Sequence, residues 1–179
     1  MGYYLTNQRK VLYIVHSFEV GYILASIGAD PATVSAGVLH DVIEENRSRK
    51  EEIMNFLHRY MGKDVLYLVS MVSNIPLEDP ALSKFNLAEK ITREASKDPD
   101  KKAYAIKSAD RLSNLRTLHF LKSKSGRSAE ERRATILLDT IENVIPLAKI
   151  MDKKYSTRAS SSGIKLADYI QDLIRQYNV

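Results

Sequence analysis

Apolar residues recur at three- and four-residue intervals along nearly the whole chain. No stretch alternates apolar with polar residues for long enough to require a sheet. A chain patterned in this way buries stripes of helix against one another. It is read here as all-α, one domain over residues 1–179, a bundle of about eight helices. Phe18, Ile23, Leu24 and Ile27 form a first stripe, and Gly28 stops it. Asp30 followed by Pro31 opens a helix that runs through Val34, Val38, Leu39 and Val42. Ser48 and Glu51 are spaced as a capping box for residues 53–60, with Gly62 as the stop. Residues 65–72 read as another apolar helix. Pro76 and Pro80 make 75–81 a break, 82–95 is helical again, and Asp98-Pro99 interrupts. Residues 104–121 form a strong amphipathic helix. Ser128 and Glu131 offer a second capping box for a long helix toward Met151, which Pro146 is predicted to kink. A final helix covers 166–177. No internal repeat and no linker divides the chain.

Hydrophobic residues at 44% supply enough apolar surface for one substantial core. With no cysteine, disulfides, thiol nucleophiles and Cys-ligated zinc are excluded, and any metal must be held by His and carboxylate. No apolar run approaches the roughly 18 residues that span a bilayer. The first ten residues lack the charged-then-apolar order of a secretory signal, so a cytoplasmic protein with no membrane association is expected. Lysine and arginine number 27 against 22 aspartates and glutamates, a net charge of +5 that suits an anionic partner such as a nucleotide. The densest basic group is Lys122, Lys124, Arg127, Arg132 and Arg133. It has no interleaved aromatics, which argues against a nucleic-acid platform.

The residues able to carry chemistry are His16, the adjacent His40-Asp41, and Asp110. Imidazole and carboxylate are the natural ligands of a borderline divalent cation when thiolate is absent. Glu44 follows His40, and Glu45 follows Asp41, at i, i+4. On one continuous helix this spacing would gather four polar groups after apolar turns. Asp110, Asn114 and Thr117 fall at i, i+4 and i+7 and form a polar stripe on a second helix. Each feature alone has an ordinary explanation: a core histidine, a solvated helix end at Glu44-Glu45, a surface ion pair at Asp110-Arg111. Their order and their apolar context weigh the other way, because an unpaired buried charge is costly and a metal relieves that cost.

A histidine, a His-Asp pair and a distant aspartate, all expected on helices, resemble the HD-domain metal-dependent phosphohydrolases. The stretches Tyr13-Ile14-Val15-His16, Ala36-Gly37-Val38-Leu39-His40-Asp41-Val42-Ile43-Glu44-Glu45 and Lys107-Ser108-Ala109-Asp110-Arg111-Leu112-Ser113-Asn114-Leu115-Arg116-Thr117-Leu118 resemble the hydrolase domain of the RelA/SpoT alarmone enzymes. Asp139-Thr140-Ile141-Glu142 and Pro146-Leu147-Ala148 extend the likeness over most of the chain. The resemblance implies manganese-dependent removal of pyrophosphate from the 3′ position of guanosine tetra- or pentaphosphate. It implies His16, His40, Asp41 and Asp110 as metal ligands, and Glu44 and Glu45 as the acidic pair that activates water. Asn114 and Thr117 become nucleotide contacts, and Arg9, Lys10 and Tyr13 the lining of the base pocket.

Two departures from the family pattern keep other readings open. Glu45 stands where the family has aspartate, which motivates a non-catalytic nucleotide-binding domain. The segment from Arg9-Lys10 to Tyr13 is shorter than usual, which motivates an HD phosphohydrolase acting on another nucleotide. The chain stops at Val179 without room for a synthetase. It therefore resembles either a small monofunctional alarmone hydrolase or the hydrolase part of a longer enzyme. The sequence is silent on oligomeric state.

Overall fold

A small antiparallel hairpin precedes the helices in the computed structural model, which describes residues 3–6, 9–12, 14–73, 102–123, 126–155 and 165–177. Strands β1 (Tyr3–Thr6) and β2 (Arg9–Leu12) pair with Tyr3 opposite Leu12 and Thr6 opposite Arg9. Four residues per strand are too few to register as a period-two signal, which is why the sequence reading contains no strands here. A two-stranded ribbon is marginal by itself; β2 lies against the first helix of the bundle.

Everything else with regular structure among the described residues is helical, as expected. The helices are α1 (Ile14–Ser26), α2 (Pro31–Val38), α3 (Val42–Glu45), α4 (Lys50–Phe56), α5 (Lys63–Val72), α6 (Lys102–Arg116), α7 (Ala129–Asp139), α8 (Ile145–Tyr155) and α9 (Leu166–Arg175). The expected break at 75–81, helix at 82–95 and interruption at Asp98-Pro99 lie outside the described residues.

The start signals at two helices act as the sequence indicates. Asp30 Oδ1 accepts from the backbone N–H groups of Ala32 and Thr33, each at 3.2 Å, with Pro31 in the first turn. Ser128 and Glu131 form a reciprocal capping box at the head of α7. Gly62, at φ +88°, separates the α4 region from α5 in a conformation that side-chain-bearing residues rarely adopt. The capping box expected at Ser48 does not form. Asn46 instead closes α3, its Nδ2 donating to the Val42 carbonyl at 2.9 Å, and a 3₁₀ turn at Arg47–Arg49 leads directly into α4. The long helix ahead of Pro146 is interrupted as expected: a π-turn at Thr140–Val144 separates α7 from α8. Proline has no N–H to donate, and its ring crowds the carbonyl four residues back, here Glu142 within that turn. One cap was not visible in the sequence. Asp152 on α8 accepts from the N–H groups of Leu166 and Ala167, both at 3.0 Å, and so caps α9 from a neighbouring helix.

Helix α6 is the hub. It touches α1, α2, α5, α8 and α9, and Ala103, Ala105, Ile106, Ala109, Leu112 and Leu115 are buried along it. Its alanines let neighbours approach on several sides, while Asn114 and Arg116 stay exposed on the remaining face. Removing each larger side chain from water contributes about 1.5–3 kcal/mol. Helices α1 and α2 meet through Gly21 and Gly37. A Cβ at Gly37 would fall 2.2 Å from Leu24 Cδ1, and one at Gly21 2.5 Å from Val38 Cγ2. The close approach brings the end of α2 beside the beginning of α1, and α6 completes a three-sided corner.

Candidate metal centre

That corner is where the polar residues converge. His16 projects from the first turn of α1 and Asp110 from the middle of α6. His40 and Asp41 were expected on one continuous helix. They sit instead in the turn between α2 and α3, because α2 ends at Val38. The interruption has a local cause. His40 Nδ1 donates to the Gly37 carbonyl at 2.8 Å, occupying an acceptor that the next turn of helix would use. The apolar series Val34, Val38, Val42 runs unbroken across this turn, which is why periodicity alone does not reveal it.

The Nε2 atom of His40 lies 3.1 Å from Asp41 Oδ1 and 3.6 Å from Asp110 Oδ1. His16 Nε2 lies 3.3 Å from the same Asp110 oxygen. The two imidazole rings meet edge to face, their centroids 5.2 Å apart. Among the described residues His16, His40 and Asp41 each offer one ligand atom, all within 4.8 Å of one another. Lys107 Nζ stands 3.7 Å from Asp110 Oδ2, and Asn114 Nδ2 donates to Asp110 Oδ1 at 2.7 Å.

Burial works against charge on both central groups, and their neighbours overcome it. Desolvation pulls the His40 imidazole down, but the carboxylates of Asp110 and Asp41 push it up to about 10. Burial likewise raises Asp110, while hydrogen bonds from His16 and His40 and the Lys107 charge hold it well below the usual carboxylate range. His40 is 1% exposed, and its Nε2 is a buried nitrogen with no hydrogen-bond partner. Such an atom, facing two carboxylates and beside a second imidazole, fits the donor set of a divalent cation. With Nδ1–H committed to the Gly37 carbonyl, Nε2 is left as the coordinating nitrogen.

The other sequence-nominated residues lie around this cluster to different degrees. Glu44 is half-buried and Glu45 exposed, both on α3 immediately after Asp41. Asn114 is exposed and holds Asp110. Thr117 lies one residue beyond the end of α6, its Oγ1 donating to the Asn114 carbonyl at 3.2 Å. The stripe Asp110, Asn114, Thr117 is thus one helical residue shorter than expected. Arg9 and Lys10 open β2, whose last residue, Leu12, stands two positions before the start of α1; Tyr13 lies outside the described residues. Arg111 is no surface pair: its guanidinium reaches the Ile136 carbonyl at 3.3 Å and the Asp139 carboxylate, clamping α6 to α7. Sequence reasoning missed Ser113, whose Oγ lies 2.9 Å from His16 Nδ1, and Glu19, which accepts from Ser113 Oγ at 2.7 Å. Each sits three residues after a nominated ligand, one helical turn on, and that spacing was the available signal.

An HD-domain family model matches residues 5–136 of the chain. The chain belongs to the HD-domain family. The HD domain is 36% identical over 137 residues to the GTP pyrophosphokinase of Streptomyces coelicolor, covering 76% of this chain and 15% of that protein. It is 31% identical over 136 residues to the guanosine-3′,5′-bis(diphosphate) 3′-pyrophosphohydrolase of Aquifex aeolicus, covering 76% of this chain and 18% of that protein. The chain thus spans less than a fifth of the length of these curated relatives. A solved structure described as a metazoan ortholog of SpoT that hydrolyzes ppGpp superposes with a TM-score of 0.64. Its sequence identity is 24%, and the match covers 94% of this chain and 83% of that one, which establishes the shared fold. The resemblance to the hydrolase region of RelA/SpoT-type enzymes is borne out by these matches. No helix among the described residues is long and apolar enough to cross a membrane.

Proposed function

We propose that this HD domain removes pyrophosphate from the 3′ position of guanosine tetra- or pentaphosphate in a divalent-cation-dependent hydrolysis, leaving GDP or GTP. The observation that carries the reading is the convergence of His16, His40, Asp41 and Asp110 from three separate segments onto one half-buried corner. The relative named as a 3′-pyrophosphohydrolase supports the substrate class. These four residues would hold the cation, with manganese the metal that the RelA/SpoT likeness favours. When bound, it lowers the pKa of a water and neutralises charge on a phosphoryl oxygen.

The remaining steps fall to the chain's own residues. Glu44, one short turn beyond Asp41, takes the proton of the attacking water as general base, and Glu45 completes the acidic pair. Asn114 and Thr117, exposed beside Asp110, hydrogen-bond the nucleotide and orient it for attack. Arg9 and Lys10 on β2, with Tyr13, supply a basic and aromatic wall for the guanine base. Lys107 and the overall +5 charge favour approach of a polyanion. A cytoplasmic setting belongs to the same proposal, since that is where a guanine-nucleotide alarmone would be met.

The test is pyrophosphate release from ppGpp by the chelator-treated chain, with and without added manganese. Release that requires the metal, disappears in Asp41→Ala and falls about 10²–10⁴-fold in Glu44→Ala is expected. Glu45→Asp should remain active. Turnover of a different nucleotide with none of ppGpp would replace the substrate. Binding of ppGpp without turnover under any divalent metal would replace hydrolysis with a binding role.

A further inference from the structure

Residue spacing predicts that α6 runs on to Leu121, yet it ends at Arg116, and the chain tightens into a 3₁₀ turn at Leu118–Phe120. A side chain from just beyond α9 meets that ending. In a continued helix the next rung would join the His119 N–H to the Leu115 carbonyl. Tyr177 stands at that rung. Its hydroxyl donates to the Leu115 carbonyl at 3.1 Å, and the His119 N–H faces the same oxygen. A hydroxyl donates and accepts at once, so one group serves both ends of the rung. A side chain set into the helical ladder in this way interrupts it. Tyr177 is itself anchored. Its N–H donates to the Ile174 carbonyl at 2.9 Å, its side chain packs against the core, and Leu166, Ala167, Ile170 and Ile174 bury α9. Burial outweighs the His119 N–H and the Arg133 charge and raises the phenol above its ordinary pKa, which keeps the donating hydrogen in place at neutral pH.

We propose that Tyr177 is a positioning residue: its hydroxyl ends α6 and so sets Thr117 in the turn from which it meets the nucleotide. This rests on the reading of Thr117 as a nucleotide contact. Leu115 and His119, the two residues that the hydroxyl engages, bracket Thr117. Within the bracket the Thr117 N–H and Oγ1 both donate to the Asn114 carbonyl at 3.2 Å, and the Phe120 N–H donates to the Thr117 carbonyl at 3.0 Å. Thr117 is exposed. With its hydrogen committed to Asn114, Oγ1 turns lone pairs outward, which suits a donor such as a ribose hydroxyl. Another turn of α6 would draw Thr117 into helical register and carry Oγ1 around the axis. Without the Tyr177 hydroxyl the Leu115 carbonyl and the His119 N–H can satisfy each other, so the turn winds into helix at little cost in stability. Loss of the hydroxyl therefore moves Thr117 without unfolding the domain.

The experiment uses the full chain and Tyr177→Phe, which keeps the ring and removes only the hydroxyl. Backbone ¹³C shifts at Thr117, Leu118 and His119 report the turn with no ligand present. Steady-state hydrolysis of ppGpp with manganese reports the site. In the variant the three shifts should move toward helical values while the melting temperature stays close to the parent's. KM for ppGpp should rise about 2–10-fold with kcat little changed, the effect of one displaced hydrogen bond. Thr117→Val should raise KM to a similar degree, and the double variant should be no worse than Thr117→Val alone, because both changes remove the same contact. Additive losses, or a lower melting temperature with parental shifts, would reduce Tyr177 to packing and overturn the proposal. Moved shifts with an unchanged KM would overturn the link to the nucleotide. Unchanged shifts and an unchanged KM would overturn the whole. A parent chain that neither binds nor hydrolyses ppGpp would remove the hydrolase reading and the nucleotide half together, with the shifts still deciding whether Tyr177 ends α6.

Discussion

Replacing Gly37 by alanine tests how tightly the corner beneath the site is packed. By helix propensity alone the change should help, since alanine is favoured over glycine in a helix by about 1 kcal/mol. The packing opposes it. The added methyl would sit 2.2 Å from Leu24 Cδ1 and 3.4 Å from Val20 Cγ1, and both of those residues are 0% exposed. A leucine tip at a surface could swing aside; this one is enclosed, so α1 and α2 must separate or Leu24 must leave its rotamer. Overpacking a closed core costs about 1–3 kcal/mol, and a contact this short belongs in the upper half of that range. Subtracting the propensity gain leaves a net loss of about 1–2 kcal/mol. In a domain of this size that is a fall in melting temperature of about 2–8 °C. Urea and thermal unfolding of Gly37→Ala, Leu24→Ala and the double variant give the answer. With Leu24 truncated the methyl has room, and Gly37→Ala should then be neutral or stabilising. A single variant that melts at or above the parent temperature, or a double variant with additive losses, would refute the close-packing argument.

Three further outcomes follow from the same contacts. Asp30 caps α2 and pairs with Lys102 at 3.4 Å; burial raises its pKa, but bonds from Thr33 and the Lys102 charge outweigh that and lower it. A depressed carboxylate contributes stability that is whole above its ordinary value of 3.8 and is lost as pH falls through the lower folded value. Asp30→Ala should therefore lose about 1 kcal/mol at neutral pH, and its gap from the parent should close in strong acid, as read by urea unfolding across pH. Arg111→Ala should destabilise by about 1–3 kcal/mol, because it leaves the Ile136 carbonyl and the Asp139 carboxylate without their charged donor; Arg111→Lys should recover little, since a single ammonium cannot span both. Ser128→Ala should remove the capping box of α7 at a cost of about 1 kcal/mol, visible in thermal unfolding.

Much of this molecule could be read from residue order because the decisive signals are local. Asp30-Pro31, Ser128 with Glu131, and Gly62 each act within one turn of chain, and each appears where the sequence placed it. The convergence of His16, His40, Asp41 and Asp110 was also legible, through a pattern of residue types shared with a family rather than through periodicity. What escaped depends on partners distant in sequence. The turn at His40-Asp41 arises from a side chain capturing a carbonyl, and the apolar series passes over it without a mark. The missing cap at Ser48 reflects its place inside the 3₁₀ turn Arg47–Arg49, which runs directly into α4 and leaves Arg49 at the cap position. Asp152 caps a helix that begins fourteen residues later. Glu19 and Ser113 bond across a separation of 94 positions, and a single sequence holds no record of that meeting beyond their shared i+3 offset from nominated ligands.

That separation has a consequence for how the protein comes to be folded. Individual helices form and dissolve within about a microsecond, but contacts between α1 and α6 must first close a loop of nearly a hundred residues. The constellation therefore requires α1 and α6 to be packed together, a contact between segments far apart in the chain. Any ion with a preference for that constellation discriminates between folded and unfolded chains and shifts the balance by mass action. At a free concentration a hundred times its dissociation constant it would add about 2.7 kcal/mol to native stability. The melting temperature of the protein would then report the metal content of its surroundings before any substrate is supplied.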